Sequence, residues 1–522
     1  MRSLSGMAAA SELATHDYRR DVRASTLIGL FYLVLCALSM APFVAVSHPP
    51  IVDFANHAAR LGIACRADEA AIAAMYKYQL GVIPNLAVDL VNLPLCGTVE
   101  PGSVLKLVTA MSLAIIYLSA WLIQRRLFGA ANAFLLMLPA MAFNLATTMG
   151  YINFLAGIAL MLLMVALTLK RGSEFPRLLV ICNLGGVAIF FCHVFALALT
   201  ILVFFGLNLR QWPITIKSFV DAAWRTALLF LLPLALLILV PTGGHQLSVE
   251  YEGKVRVLVA LFMAQQASVG VYGILLGIPL YLLIRSRMVA IDRHLRAPLV
   301  ILLIYVLLVP SRISDAVDID ARSFVALAYL MFIAIRPVRH VREISLGLTA
   351  ISISYIALQV WAAVTVWQPF SQQMDEFRGS LSSLPPGARI FPVTTDRPGR
   401  AILALPMAYT HVTSYATAER RIFNPLEFTG VGMQPMSVRP AFAAIDTPAG
   451  LPFSSDAAMK LARPSAHTIE SARKYDFDYA LRWPDRFDYV IYYHFGSAPN
   501  FDPSDLEQVY VGSFFSILKI KK

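Results

Sequence analysis

The stretch TLIGLFYLVLCALSMAPFVAVSHPPIVDFANHAARL (residues 26–61) joins a long apolar run to a polar segment with several ionisable residues. Residues 26–47 can cross a bilayer, because about 20 apolar residues in a helix span the hydrocarbon. The run is longer than the apolar core of a cleaved signal peptide, which has ~7–15 residues. Three arginines lie just before it. We therefore interpret the run as a signal anchor, with residues 1–25 in the cytoplasm.

Composition extends the membrane prediction to the whole chain. Of the 522 residues, 58% are hydrophobic and 14% are charged, whereas soluble domains have about 45–50% and 25%. The mean hydropathy is +0.66. The net charge of +11 does not indicate nucleic-acid binding, because the basic residues cluster between apolar runs, where they set orientation in a membrane.

The apolar runs predict about eleven transmembrane helices. The candidate spans are 26–47, 104–123, 128–146, 151–169, 178–192, 193–208, 227–242, 269–286, 298–310, 323–335 and 344–366. Counting 178–208 as two crossings places every basic cluster between the spans on one side, which the positive-inside rule assigns to the cytoplasm. A single crossing there would reverse the orientation of all that follows. We predict a transmembrane domain over 26–366, with a large first periplasmic loop at 48–103.

The remainder of the chain has ordinary polarity. Three segments are rich in β-branched and aromatic residues, which is typical of strands: ARIFPVTT (388–395), FDYVIYYHF (487–495) and VYVGSFFSILKI (509–520). Residues 454–475 have a helical pattern. We therefore predict a polytopic α-helical membrane protein with a C-terminal extracytoplasmic α/β domain at 367–522.

The ionisable residues after the first span are the first candidates for chemistry. Asp53 and His57 stand four residues apart, so a helix would place them on one face, with Arg60 a turn further on. A carboxylate that faces a cavity at the membrane surface can act as a base toward a hydroxyl. A solvated helix capped by Asp53 explains the same pattern, and both interpretations remain open.

A second polar segment, PSRISDAVDIDARSF (310–324), leads into a late span. Arg322 suits a lipid phosphate, because a guanidinium offers planar, bidentate donors. Alternatively, Arg322 pairs with Asp318 or Asp320 and extends to the membrane interface. With Asp315, these aspartates are compatible with a divalent cation, although the spacing alone is a weak metal signature.

The whole plan resembles the GT-C superfamily of glycosyltransferases, multi-pass membrane enzymes with an acidic residue in a large first external loop. The resemblance is carried by Asp53 in PPIVDFANHAARL (49–61), by the amphipathic pieces AAIAAMYKYQL (70–80) and IPNLAVDLVNLPL (83–95), and by the order of spans and tail. It covers the full length. Many members have a paired acidic motif in this loop, whereas Asp53 has no adjacent acidic partner. Metal dependence and the identity of the base therefore stay open.

The resemblance implies an enzyme that moves a sugar from a polyprenyl phosphate or diphosphate to an envelope acceptor, with inversion, at the outer face of the bacterial inner membrane. Asp53 would be the general base. The expected substrate-binding residues are His57, Asn56, Arg60, Arg322, Arg312 and His245. The acceptor (a glycan, a lipid or a protein) is left open, and membrane lipids are the other expected partners. No cofactor is required by the pattern, and a divalent cation is compatible with it.

Several other polar residues are candidates of lower priority. Cys65 and Cys96 would form a disulfide in an oxidising periplasm, and two unrelated thiols are equally compatible with the sequence. His193, inside an apolar run, is interpreted as a helix-packing residue. A polar corner could help to form the floor of an acceptor site: Asn144, Thr147, Thr148, Tyr151 and Asn153. Residues 411–435 either cover the site or form domain surface.

Two other classes of function fit a chain of this kind. One is a transporter or flippase for a lipid-linked glycan, although no internal repeat of the kind common in secondary transporters is seen. The other is a non-catalytic scaffold for envelope-glycan assembly. Exchange of Asp53 for Asn separates the three, because only the enzyme would lose formation of a glycosidic bond while keeping its fold.

Overall fold

The computed structural model combines a bundle of apolar helices with a mixed β-sheet built by the C-terminal residues. It describes residues 26–169, 174–209, 214–240, 248–261, 281–313, 316–338, 342–395, 405–430, 432, 434–447, 452–474, 477–495 and 505–522. The predicted span 269–286 and His245 therefore lie largely or wholly outside the described residues.

The helices fall into two groups along the chain. The first group comprises α1 Thr26–Ala45, α2 Phe54–Cys65, α3 Ala70–Met75, α4 Ala87–Asn92, α5 Pro101–Phe128, α6 Met137–Ala140, α7 Leu145–Thr148, α8 Ile152–Thr168, α9 Phe175–Cys192, α10 Val194–Asn208, α11 Ile216–Leu229, α12 Leu231–Ile238, α13 Arg293–Leu308, α14 Ile319–Ala334 and α15 Arg342–Ser380. The second comprises α16 Leu405–Ala408, α17 Ser414–Arg420, α18 Ser455–Ala462, α19 Ala466–Lys474 and α20 Trp483–Arg486.

Within the described residues, four helices are long and apolar enough to cross a membrane, namely α1, α5, α9 and α15. A fifth span results if α11 and α12, which meet at a 72° bend, count as one broken helix. The other apolar helices are shorter. The prediction of eleven spans is thus not reproduced by helices of full length, and part of the reason is local chain breaks that a hydropathy pattern does not show.

Two of these breaks are informative. At His193 the backbone is extended, with φ −167° and ψ 132°, so residues 178–208 form the two helices α9 and α10, which pack against each other. Residues 133–148 form short helical turns in place of the predicted span, and all of them are buried. Because protein surrounds this segment, it does not need the length of a lipid-exposed helix.

The strands are short and most of them lie in the C-terminal part. They are β1 Tyr76–Tyr78, β2 Val249–Glu250, β3 Val289–Ile291, β4 Arg312–Ile313, β5 Ile335–Pro337, β6 Ile390–Thr394, β7 Met436–Val438, β8 Phe453–Ser454, β9 Tyr489–Tyr493, β10 Leu506–Val511 and β11 Phe515–Ile520. Five of them form one sheet in the order β10-β11-β9-β6-β8, in which β6 is parallel to both of its neighbours.

The segment predicted as one strand at 509–520 is instead an antiparallel hairpin of β10 and β11. A Cβ at Gly512 would lie 2.3 Å from the Phe515 ring, so any larger residue at this turn would force the buried ring to move. The other predicted strands agree with β6 and β9, and the helical pattern at 454–475 agrees with α18 and α19.

One long helix runs across the boundary predicted after residue 366. Helix α15 runs on to Ser380, and Phe370 and Phe377 in its last turns share a core with Ile390 of β6 and Phe515 of β11. One continuous helix therefore connects the apolar bundle to the sheet.

The first polar loop packs with the C-terminal residues. Strand β1 pairs with β7, with Tyr76 opposite Val438. The Asn56 side-chain amide donates to the Leu426 carbonyl (2.9 Å) and accepts from the Phe428 amide (3.2 Å). A disulfide joins Cys65 to Cys96 within the loop. The loop and the tail thus form one layer at one end of the helices.

Candidate active site

A cavity of about 460 Å³ lies where this layer meets the ends of three apolar helices. Asp53 and His57 reach it from the first loop, Tyr151 and His193 from the starts of α8 and α10, and Arg322 from the first turn of α14. The remaining lining includes Asn153, Arg312, Asp318, Thr410, His411, Phe428 and Gln434. Residues far apart in sequence therefore meet in one pocket.

Asp53 is held by its backbone rather than by its side chain. It occupies the position before α2, and its carboxylate makes no capping hydrogen bond. Its N–H donates to the Met149 carbonyl at 3.1 Å. Gly150, with φ +88°, passes so close that a Cβ there would lie 3.0 Å from both the nitrogen and the Cβ of Asp53. The turn before α8 thus requires glycine and fixes the direction of the carboxylate.

The carboxylate of Asp53 is poised to exchange a proton near neutral pH. Its side chain is 14% exposed. Burial raises the pKa of Asp53 to about 7, although the positive charge of Arg322 lowers it. Two weaker effects oppose each other: the charge of Asp318 raises this pKa and that of Arg60 lowers it. A base whose pKa lies near the working pH combines a useful ionised fraction with useful basicity.

Two neutral histidines flank the acid. Burial lowers the pKa of His411 to about 4 and that of His57 well below its ordinary value. His411 Nε2 lies 3.6 Å from an Asp53 carboxylate oxygen. His57 Nε2 lies 3.1 Å from the Gly150 carbonyl oxygen, to which it donates. Among the described residues, the buried Nδ1 atoms of both rings have no hydrogen-bond partner, so both can bind a polar group that enters the cavity.

Arg322 brings a buried positive charge to the opposite wall. Its side chain is 7% exposed, and its guanidinium carbon lies 3.3 Å from the centre of the Tyr151 ring. Its Nε is buried, and no group in the described part of the chain forms a hydrogen bond with it. In the same helix, Asp320 pairs with Lys254 at 2.7 Å. A buried cation with unsatisfied donors favours an anionic ligand.

His193 adds a second donor beside Arg322. Its Nδ1 accepts the N–H of Phe195 at 3.1 Å, so this nitrogen carries no proton and the ring is neutral with its proton on Nε2. That Nε2 lies 3.4 Å from Nη1 of Arg322. Two donors then face the same space with no acceptor between them, an arrangement that a phosphate oxygen would satisfy.

Asn56 and Arg60, two of the predicted substrate-binding residues, are not among the residues that line the cavity. Arg60 is fully buried, donates to both carboxylate oxygens of Asp89 at 3.2 and 2.9 Å, and bonds Gln434. Arg60 lies seven residues after Asp53, which is about 10 Å further along the axis of helix α2. Both side chains therefore stabilise the layer of loop and tail.

The remaining predicted site residues are placed as follows. Arg312 lines the cavity from β4, is half-exposed and lies 3.5 Å from Glu250. Asp318 accepts a hydrogen bond from the Tyr151 hydroxyl at 2.9 Å. Asp315 and His245 lie outside the described residues. Among the residues that are described, no group of three or more His, Cys, Asp and Glu side chains is arranged to hold a metal ion.

Some residues that line the cavity are not among the site residues predicted from the sequence. The sequence favours helix packing for His193, and its position between two apolar runs is the available signal for a site residue. Tyr151 and Asn153 belong to the predicted polar corner, while Asn144 bonds the Tyr329 hydroxyl at 2.9 Å in the core. His411 and Gln434 lie in the segment 411–435, for which cover and surface were both left open.

The fold and the cavity define a helical membrane protein with a buried acid and a buried guanidinium at one end of its apolar helices. The solved structures it is similar to include ArnT from Cupriavidus metallidurans in the apo state and the same protein bound to undecaprenyl phosphate. Each match has a TM-score of 0.48 and 14% identity, over 95% of this chain and 98% of that chain. No family model and no curated protein matches the chain.

Proposed function

We propose that this protein is an inverting glycosyltransferase that takes its sugar from a polyprenyl phosphate or diphosphate at the outer face of the bacterial inner membrane. The supporting observation is that Asp53, with its raised pKa, and the buried Arg322 line one cavity at an end of the apolar helices. Transfer of a sugar from a lipid phosphate to a hydroxyl needs a general base and a cationic group that binds the phosphate.

In the proposed reaction, Arg322 and the His193 Nε2–H hold the phosphate of the donor. The acceptor hydroxyl attacks the anomeric carbon from the face opposite the phosphate. The new bond from carbon to acceptor oxygen forms while the bond to the phosphate oxygen breaks, and the phosphate keeps the electron pair. Asp53 takes the hydroxyl proton. A positioned base of this kind contributes ~10²–10⁴-fold in rate.

The two neutral histidines suit the acceptor side of the cavity. Since His57 Nε2 donates to a backbone carbonyl, its Nδ1 is an acceptor. An acceptor beside Asp53 can orient a second hydroxyl of an incoming sugar or lipid. Phe428, whose ring centre is 5.8 Å from His57 and 5.0 Å from His411, covers this side. It would keep water from competing as the nucleophile.

Two observations support the proposed orientation, with loop 48–103 and the tail in the periplasm. The disulfide between Cys65 and Cys96 lies in this layer, and disulfides persist in oxidising compartments. Exposed arginines, among them Arg125 and Arg126, lie at the far end of α5, as the positive-inside rule expects for the cytoplasmic side.

Mass spectrometry of envelope glycolipids and glycans tests the proposal in a deletion strain complemented with variants. Asp53→Asn should abolish one glycosylated product while the lipid-linked donor accumulates. Asp68→Asn removes an exposed acid of the same loop outside the cavity and should restore the product. A chelator added to membranes tests the need for a divalent cation.

Two results would contradict the proposal. An unchanged product with Asp53→Asn would favour a scaffold. A flippase would be favoured if the lipid-linked donor stayed in the cytoplasmic leaflet and no glycosidic bond formed even when donor was supplied at the periplasmic side.

A further inference from the structure

A second cavity, of about 940 Å³, lies at the opposite end of the helical bundle. Helices α8 and α10 connect the two cavities, because Ile152 and Phe195 line the first while Thr168 and Asn208 line the second. Along a helix, sixteen residues from Ile152 to Thr168 extend about 24 Å at 1.5 Å per residue. This approaches the ~30 Å thickness of bilayer hydrocarbon, so the second cavity opens at the other membrane surface.

The second cavity combines an apolar wall with a cationic rim. Leu178, Phe204 and Leu299 belong to the wall, and the exposed Arg293 and Arg296 lie at the start of α13. Arg296 Nε donates to a backbone carbonyl at 3.2 Å. Among the described residues, neither arginine forms an ion pair with a carboxylate.

The acidic group nearest in sequence is already engaged. Asp292 accepts hydrogen bonds at 2.9 Å from both the backbone N–H and the ring Nδ1 of His294. Its carboxylate is therefore directed to His294 rather than to the arginines, and the two arginine charges outnumber this one carboxylate at the rim.

Helix α11 marks this end as the level of the lipid headgroups. Ile216, Phe219, Val220 and Trp224 form an exposed apolar face, with Ile216 87% and Trp224 63% exposed. The helix is bent by 72° from α12. An amphipathic helix with an exposed apolar face lies in the plane of the membrane interface. Its last residue, Leu229, lines the cavity, so the cavity opens at the same depth.

We propose that this cavity binds an anionic phospholipid of the leaflet opposite the Asp53 cavity. The phosphate of the lipid lies against Arg293 and Arg296, and its acyl chains follow the apolar wall. Basic pockets between membrane helices on the cytoplasmic side are suited to such headgroups. The site shares no residue with the proposed catalytic cavity, so it stands or falls independently of glycosyl transfer.

Native mass spectrometry of the full-length protein in detergent tests the proposal with phosphatidylglycerol as the probe. The double variant Arg293→Gln/Arg296→Gln should bind it on the order of 10- to 30-fold more weakly, since each basic side chain near a headgroup contributes a factor of about five. The matched control, Arg125→Gln/Arg126→Gln, removes two exposed charges at the same membrane end outside the cavity and should bind as the wild type does.

A second variant keeps every charge. Ala297 lines the cavity, and Ala297→Trp should fill it and displace the lipid while thermal stability confirms the fold. Zwitterionic phosphatidylcholine binding equally well would overturn the proposal, as would displacement by inorganic phosphate or a preference for polyprenyl phosphate. Equal loss in the control variant would also overturn it, because a diffuse surface charge would then be sufficient.

Discussion

Replacement of Asp53 by Asn should stabilise the protein above neutral pH. Burial raises the pKa of this carboxyl from 3.8 to about 7, so the native state binds the proton more tightly than the unfolded chain does. The stability that the group contributes is then highest below pH 3.8, falls as the pH rises through the interval to about 7, and stays constant above it. Asn, which does not titrate, removes this fall.

The size of the effect follows from the width of that interval. It spans about three pH units, each worth ~1.4 kcal/mol, which gives an upper limit of about 4 kcal/mol. Since the side chain is 14% exposed, we expect about 2–4 kcal/mol. Denaturant unfolding in mixed micelles at pH 4 and pH 8 measures the difference between Asp53→Asn and wild type.

Asp68→Asn, which removes an exposed acid of the same loop outside the cavity, is the matched control. The assignment of Asp53 as a buried acid with a raised pKa would be refuted if Asp53→Asn raised the free energy of unfolding equally at the two pH values. It would also be refuted if the variant were less stable than the wild type at pH 8.

Three further perturbations test the same cavity and its support. Arg322→Gln should raise KM for the lipid donor at least tenfold. It should also shift the rising limb of the pH–rate profile to higher pH, because the Arg322 charge lowers the pKa of Asp53. Arg322→Lys should return that limb to its wild-type pH but should not restore the wild-type KM. Gly150→Ala should cost about 1–3 kcal/mol in unfolding free energy, through positive φ and contact with Asp53, and should lower kcat in the same transfer assay. Cys65→Ser/Cys96→Ser should lower the free energy of unfolding by about 3–4 kcal/mol, because the disulfide closes a loop with a sequence separation of 31 residues. Thiol labelling of these two cysteines in the wild type should require prior reduction.

Local sequence pattern was sufficient for the elements whose burial has a simple period. The aromatic and β-branched residues around Val490 and Phe391 become β9 and β6 because both faces of the central strands are covered. The same logic failed for 509–520, where the close approach at Gly512 turns one apolar run into a hairpin. At the predicted span 128–146 the structure has short, fully buried helical turns over residues 133–148, and hydropathy alone does not distinguish lipid from surrounding protein.

The site could be predicted only where a single segment carries it. The spacing of Asp53 and His57 indicated a shared face, and both line the cavity. The same spacing argument extended to Arg60, whose guanidinium instead pairs with Asp89. That pairing depends on α4, which no pattern within α2 reveals. His193 and His411 reach the cavity through packing of distant segments, and a single sequence carries no signal for such contacts.

The tail contributes to the proposed chemistry by covering the acid. An exposed Asp has a pKa near 3.9 and is a weak base, whereas under the cover of His411 and Phe428 the pKa of Asp53 rises to about 7. The Arg322 charge opposes that rise while the cavity holds no anion. When the donor phosphate binds, its charge offsets that of Arg322, so the pKa of Asp53 rises further. In the proposed reaction, Asp53 would therefore be the strongest base when the donor is bound, which would couple proton abstraction to the presence of the leaving group and limit futile activation of water.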